Sequence, residues 1–221
     1  VAIDRLSTYD RFFIMAEGGK IDYASHANDG ATVLHEVMDF DETIKVAYRF
    51  YEQHPDETLI VVTADHETGG LSLGNAYGEF ELQLLQYQKC SSDKLSNRLS
   101  VLCKEQGVAL AWEQVKALLT EYTGLYGAVS VSEAEDQVLQ EAFQNMQNKQ
   151  GSVKTLYEDI NALAAKALKL LNDKSGLGWS GEGHTATAVP VFAVGVGAER
   201  FTGWMDNSEI APRIYEATRS N

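Results

Sequence analysis

The stretch that decides the fold reads Leu59-Ile60-Val61-Val62-Thr63-Ala64-Asp65-His66-Glu67-Thr68-Gly69-Gly70. Its first four residues form a continuous apolar run, which is typical of a strand buried on both faces of a sheet. Asp65 and His66, two residue types that bind metal ions, follow directly after that run. Because open α/β sheets bind their ligands at the carboxyl ends of strands, this junction is predicted to be part of a site.

Two further clusters of metal-binding residue types lie beside predicted strands. They are Glu17, Asp22 and His26 after the apolar run at 12–15, and His184 before the apolar run at 189–194. Asp22 and His26 are four residues apart, so on a helical turn both side chains would face one ion. Zinc accepts such a mixture of carboxylate and imidazole, and His184 is the candidate third ligand. The three clusters are predicted to converge on one metal centre.

A second ion is predicted beside the first. Asp65 and His66 are adjacent, so on a regular strand they would point to opposite faces, but a bend after the strand would turn both towards one ion. Glu17 supplies a carboxylate oxygen, which is a ligand suited to magnesium. Since two metal ions roughly 3.5–4 Å apart commonly clamp a transferring phosphoryl group, the spacing predicts a two-metal hydrolase.

The order of the predicted elements indicates an α/β fold, with a mainly parallel sheet flanked by helices. Residues 11–17 and 58–64 are predicted to be strands of that sheet. Helices are predicted over 28–53, with a break near 39–42. A strand, a helix and a second strand in this order indicate a parallel βαβ unit.

Three segments are predicted along the chain. Residues 1–74 form an α/β segment that carries metal ligands. Residues 75–177 form a helical insertion or cap, because they are rich in Leu, Gln, Glu, Lys and Ala. Residues 178–221 return a strand at 189–196 to the core and end in a helix that begins near residue 206.

The composition excludes several classes of partner. The 221 residues include 32 acidic and 18 basic side chains, for a formal charge of −14. Such a surface offers nothing that would neutralise an extended run of phosphates, so neither nucleic acid nor an anionic membrane is expected as a partner. No apolar run approaches the roughly 20 residues that a membrane span needs. The spacing of Cys90 and Cys103 leaves open both a disulfide and two small buried residues.

Three motifs resemble those of the alkaline phosphatase family. They are Glu17-Gly18-Gly19-Lys20-Ile21-Asp22 with His26-Ala27-Asn28-Asp29, Thr63-Ala64-Asp65-His66-Glu67-Thr68-Gly69-Gly70, and Gly183-His184-Thr185-Ala186-Thr187-Ala188-Val189-Pro190-Val191. The resemblance implies that Asp22, His26 and His184 bind a first zinc. It further implies that Asp65 and His66 bind a second zinc, and that Glu17 binds magnesium. Tyr23 stands where the family varies, which leaves the third metal's identity open.

The resemblance also bears on what the chain lacks. In that family a serine or threonine nucleophile, an arginine and a bridging aspartate lie upstream of the Glu-Gly-Gly motif. The chain is therefore expected to be the carboxyl-terminal half of an alkaline phosphatase, with no identifiable catalytic nucleophile and no turnover alone. The intact enzyme is expected to hold two zinc ions and one magnesium ion, of which at most the first zinc site is complete here.

Further expectations rest on the same resemblance. The substrates are expected to be small phosphate monoesters, and the location periplasmic or secreted. An unpaired sheet edge makes a homodimer a possible assembly. Two other functions compete: a phosphodiesterase or sulfatase of the same superfamily, and a non-catalytic metal-binding or interaction module in which residues 79–174 do the work.

Overall fold

The computed structural model describes residues 1–75, 80–148, 152–154 and 159–219. The α-helices are α1 (Ala2–Leu6), α2 (Gly19–His26), α3 (Gly30–Gln53), α4 (Ser92–Gln106), α5 (Trp112–Thr123), α6 (Glu133–Gln147), α7 (Ala162–Ser175) and α8 (Ile210–Arg219). The strands are β1 (Leu59–Val62), β2 (Glu67–Thr68), β3 (Ser72–Leu73), β4 (Ser152–Lys154), β5 (Asp159–Asn161), β6 (Leu177–Gly178), β7 (His184–Thr185) and β8 (Phe192–Gly195). Short 3₁₀ turns lie at Leu82–Tyr87, Gly107–Ala109, Ala198–Phe201 and Asn207–Glu209.

The chain divides into two compact units. One comprises Val1–Gly18, Val37–Glu67 and Ala186–Asn221 and is called the strand-pair unit. The other comprises Gly19–Glu36 and Thr68–Thr185 and is called the helical unit.

The strand-pair unit is built around β1 and β8, which pair antiparallel from Leu59 opposite Gly195 to Val62 opposite Phe192. Gly195 has a φ of +100°, and a Cβ atom there would lie 1.9 Å from the carbonyl oxygen of Thr58. Only glycine therefore fits at this end of the pair. The predicted strands at 58–64 and 189–196 thus form, but as partners of each other.

The C-terminal helix of this unit begins where the sequence predicts. The backbone N–H of Ser208 donates to Asp206 Oδ1 (3.0 Å), and the backbone N–H of Asp206 donates to Glu209 Oε1 (2.9 Å). This reciprocal cap satisfies donors that a helix start leaves unpaired. It leads through the turn at Asn207–Glu209 into α8.

The predicted parallel sheet is wrong for the residues that the structure describes. Their strands pair two by two, and β1 with β8, β3 with β6 and β4 with β5 are antiparallel. Residues 11–17 form no strand; Phe13 and Met15 are 70% and 81% exposed. A strand buried within a parallel sheet needs hydrogen-bonding neighbours on both edges. No described strand lies beside 11–17 to provide them, so its apolar run stays at the surface.

The helical unit holds an extensive apolar core. It is formed mainly by α4, α5, α6 and α7, in agreement with the helical composition of this region. Its fully buried side chains include Leu95, Leu99, Val115, Leu119, Leu125, Leu139, Ile160, Leu163, Leu171 and Leu177. Burying each such side chain contributes roughly 1.5–3 kcal/mol of transfer free energy, so this core can fix the segments attached to it.

Two further observations complete the fold. Cys90 and Cys103 are both free thiols, so the disulfide left open by the sequence does not form. Burial raises the pKa of the Cys90 thiol.

Among the described helices, none combines the length and apolarity that crossing a membrane would require.

Candidate metal centre

Helix α2 brings Asp22 and His26 onto one face of a single turn. Asp22 Oδ1 lies 3.4 Å from His26 Nε2, as the four-residue spacing predicts. The His26 side chain is only 4% exposed, whereas that of Asp22 is 26% exposed. The helix therefore supplies one buried imidazole and one carboxylate that solvent can reach.

His184 reaches the same point from a distant part of the sequence. Its Nε2 lies 3.2 Å from His26 Nε2 and 4.0 Å from Asp22 Oδ1. Backbone hydrogen bonds place it there: the N–H of Gly69 donates to the carbonyl of Gly183 at 2.9 Å. The helical unit thus gathers the three predicted ligands of the first zinc around one point.

The surroundings of this cluster orient two of its members. His26 Nδ1 contacts the carbonyl oxygen of Glu182. Because a carbonyl only accepts hydrogen bonds, Nδ1 is the donor in this contact, and Nε2 is the ring atom that faces the cluster. The Thr68 hydroxyl donates to Asp22 Oδ1 at 2.6 Å. Such outer partners fix the orientation of metal-binding histidines and carboxylates in known sites.

The donor set fits zinc. One carboxylate and two imidazoles match the three protein ligands that a catalytic zinc typically keeps beside an open position. Zinc–nitrogen bonds of about 2.0–2.1 Å at tetrahedral angles place two ligand atoms about 3.3 Å apart. The spacings of 3.4 Å from His26 to Asp22 and 3.2 Å from His26 to His184 agree with this, and only the 4.0 Å spacing is longer.

The remaining predicted ligands lie in the strand-pair unit. A bend follows β1, as the sequence predicts, and places Asp65 Oδ2 at 3.3 Å from His66 Nε2. The backbone N–H of His66 also donates to Asp65 Oδ1 at 3.1 Å. Glu17 is exposed. The metal-ligand roles of these three residues stay predictions.

The sequence did not assign a role to three groups beside the cluster. Thr68 and the Glu182 carbonyl contact the predicted ligands directly, and Asn28 follows the end of α2 with a φ of +52°. Thr68 lies inside the motif at 63–70, so its position was a usable signal. The carbonyl of Glu182 carries no sequence signal, because any residue provides one.

Comparison with known proteins adds the family. The sequence pattern of the family described as alkaline phosphatase matches residues 1–220 of this chain. The chain is 31% identical to alkaline phosphatase 4 of Bacillus subtilis (strain 168) over 222 aligned residues, and 32% identical to alkaline phosphatase 3 of the same organism over 215. It belongs to the alkaline phosphatase family.

Solved structures agree with that assignment. The crystal structure of a cold-active alkaline phosphatase from the psychrophile Shewanella sp. matches with a TM-score of 0.77 at 30% identity over 98% of this chain. That of the Thermus thermophilus alkaline phosphatase matches with a TM-score of 0.72 at 26% identity over the whole chain.

The matches cover only part of the length of each relative. The two Bacillus proteins are matched over 42% and 41% of their own lengths, although 99% and 96% of this chain takes part. The two crystal structures are matched over 48% and 46% of theirs. The chain therefore spans less than half the length of the relatives it matches.

Proposed function

We propose that this chain supplies a zinc site of a phosphate monoester hydrolase. The observation that carries the proposal is the convergence of Asp22, His26 and His184 within the helical unit. Membership of the alkaline phosphatase family supports the reaction type. The family resemblance also supports a second zinc at Asp65 and His66, and a magnesium ion at Glu17.

The residues of the cluster have two roles in such a site: some hold the metal ion, and others orient those ligands. Asp22, His26 and His184 would hold zinc, which when bound supplies a positive charge that polarises a phosphate oxygen and favours an ionised nucleophile. The Thr68 hydroxyl orients the Asp22 carboxylate, and the Glu182 carbonyl orients the His26 ring.

The charge of the whole chain makes a local cation necessary for this substrate class. At a formal charge of −14, the protein as a whole repels a phosphate monoester. A metal ion held by one carboxylate and two neutral imidazoles retains net positive charge. Phosphate recognition is therefore expected to depend on the metal, and removal of the metal should remove it.

We also propose that the protein acts in the periplasm or outside the cell. The support is the resemblance to the alkaline phosphatase family. Fractionation of cells that express the natural gene, with enzyme markers for cytoplasm and periplasm, tests this proposal. Recovery in the cytoplasmic fraction alone would contradict it.

Zinc binding is the first experiment. The 221-residue chain, freed of metal, is titrated with zinc in competition with a chromogenic chelator, beside the variants His184→Ala and His35→Ala. His35 is an exposed histidine of the same unit that lies outside the cluster, so its variant is the matched control. The loss of His184 should weaken binding by more than the roughly 10–100-fold typical of an outer partner. Equal affinity in all three proteins would refute the site.

Hydrolysis is the second experiment, and it tests the reaction. The natural protein that contains these residues is assayed with a chromogenic phosphate monoester, a phosphodiester and a sulfate ester. A preference for the monoester that His184→Ala abolishes is expected. Preference for the diester or the sulfate ester would instead assign the chain to a related class of hydrolase.

A further inference from the structure

We infer that Asn28 is a positioning residue for the zinc site, acting by holding the loop at 180–184 against helix α2. The inference rests on the proposed function, because it concerns how that site is assembled. Asn28 touches none of the reacting groups. It acts through the loop that carries both His184 and the carbonyl of Glu182.

Asn28 adopts a conformation that suits it to this task. It lies two residues beyond the end of α2, with a φ of +52°, in the left-handed region that asparagine tolerates better than most residues. With its amide turned so that the donor faces the nearby acceptors, Nδ2 donates to the carbonyl oxygens of Gly181 (2.9 Å) and Ser25 (3.1 Å). One side chain therefore joins the helix that carries His26 to the loop.

The hydrogen bond from Asn28 to Gly181 helps to position the backbone carbonyl that His26 contacts. Gly181 directly precedes Glu182, whose carbonyl accepts from His26 Nδ1, and His184 follows two residues later. The side chains at 180–184 are exposed, so burial contributes little to the position of the loop. Its hydrogen bonds must decide that position.

Hydrogen bonds hold the loop on two sides. On one side, the backbone N–H groups of Ser180 and Gly181 donate to the carbonyl of Gly69 at 3.0 and 3.2 Å, and Gly69 in turn donates to Gly183. On the other side is the amide of Asn28. The first set ties the loop to the segment after β2, and the second ties it to the helix that carries Asp22 and His26.

Asn28 is itself anchored to the core. Asn172, on helix α7 and only 1% exposed, donates from Nδ2 to the carbonyl oxygen of Asn28 at 2.6 Å. This bond fixes the backbone of Asn28 to a helix that lies in the middle of the apolar core. The loop is thereby connected, through Asn28, to a helix whose side chains are largely buried.

The test compares metal binding by three variants of the full chain. Asn28→Asp keeps the size and the left-handed preference but turns a carboxylate towards two carbonyl oxygens. Asn28→Gly allows the same positive φ and removes the whole side chain, so it remains informative where Asn28→Asp does not fold. Asn75→Asp is the control, because Asn75 Nδ2 also donates to two backbone carbonyls, of Asp173 (2.6 Å) and Leu177 (3.0 Å), which lie outside the loop at 180–184.

Cobalt(II) serves as the probe, since its visible absorption reports both affinity and ligand geometry. Asn28→Asp and Asn28→Gly should bind it about 10–100-fold more weakly than the wild type and with an altered spectrum, as is typical when an outer partner is lost. Asn75→Asp should retain wild-type affinity and spectrum. Nitrogen-15 spectra of the metal-free chain should show the Nδ1–H tautomer of His26 in the wild type and a mixture in the Asn28 variants.

The outcomes distinguish failure of the positioning role of Asn28 from failure of the proposed zinc site. Wild-type affinity in both Asn28 variants would overturn the positioning role while leaving the zinc site intact. An equal loss in Asn75→Asp would also overturn it, because the effect would then follow stability. Absence of cobalt binding by the wild type would refute the proposed site itself.

Discussion

Gly30 is the residue at which the start of α3 meets the core of the helical unit. A Cβ atom there would lie 2.4 Å from Leu177 Cδ1 and 2.7 Å from Asn172 Oδ1. Both neighbours are buried, so neither can withdraw freely. The missing side chain is therefore what allows Asn172 to reach the backbone of Asn28.

Replacement of Gly30 by alanine is expected to lower the free energy of unfolding by about 1–3 kcal/mol, the usual cost of overpacking a core. Urea unfolding followed by far-ultraviolet circular dichroism measures it. Leu177→Ala opens space beside the new methyl group, so the double variant should lose less stability than the two single losses combined. Simple additivity would contradict the predicted clash.

Asp29 shows where sequence reasoning at the residue scale succeeds and where it stops. An aspartate just before a helix commonly caps it, and Asp29 Oδ1 accepts from the backbone N–H of Thr32 at 3.1 Å. Two further partners, Gln88 Nε2 at 2.6 Å and the backbone N–H of Ser92 at 2.7 Å, lie about sixty residues away in the sequence. Burial raises the pKa of this carboxyl. Local spacing reveals the first partner, whereas only the folded chain reveals the others.

At the scale of elements, the carboxylate of Asp136 links α6 to its neighbours. It accepts from Trp112 Nε1 on α5 at 3.1 Å and from the Tyr126 hydroxyl at 2.7 Å. Burial alone would raise the pKa of Asp136, but these hydrogen bonds outweigh it and leave the pKa below the ordinary 3.8. The stability that this carboxylate contributes is therefore present above pH 3.8 and is lost as the pH falls through its lower value in the fold.

Asp136→Asn is expected to reduce the free energy of unfolding by about 1–3 kcal/mol at pH 7, because a charged acceptor with two oxygens is replaced by a neutral amide with one. The difference in free energy of unfolding between wild type and variant should be smaller at pH 3 than at pH 7. Urea titrations at both pH values, followed by tryptophan fluorescence, measure it. Glu141→Gln removes an exposed charge from the same helix and is the control. A gap that stays constant with pH would contradict the assignment.

Helix α3 and the segment at 11–17 show why two predictions at the element scale are wrong. The acidic stretch at 39–42 does not break α3, because Asp41 and Glu42 are exposed and pair with Lys45 at 2.9 and 2.7 Å. An acidic cluster can mark either a helix start or a solvated helix face. The apolar run at 11–17 indicates a preference for burial, but a strand also requires partners, and hydrophobicity does not report them.

At the scale of the whole molecule, zinc is expected to stabilise the chain by mass action. Free zinc at 100 times its dissociation constant should raise the free energy of unfolding by about 2.7 kcal/mol. Urea unfolding with zinc and with a chelator, followed by the fluorescence of the tryptophans, measures this. His184→Ala should gain much less at the same zinc concentration. An equal gain would mean that zinc binds elsewhere.

The sequence could predict the family and the approximate site but not the sheet. The first predicted zinc ligands, Asp22 and His26, are neighbours on one helix, so their spacing alone brings them together. His184 comes from a distant segment that hydrogen bonds to Gly69 and other residues hold in place, and long motifs in the family order made it identifiable. The antiparallel pairing of β1 with β8 is a contact between distant segments that apolar runs do not encode. The division into segments 1–74, 75–177 and 178–221 stays a prediction.

The two histidines of the cluster differ in exposure, with side chains that are 4% exposed at His26 and 43% at His184. One ligand therefore lies in the interior, while the other lies at the surface where the loop at 180–184 enters β7. An ion held between them would be released when that loop lifts, a local event that leaves the apolar core closed. Its residence time should follow loop opening, so that a chelator can empty the site within the lifetime of a single folded molecule.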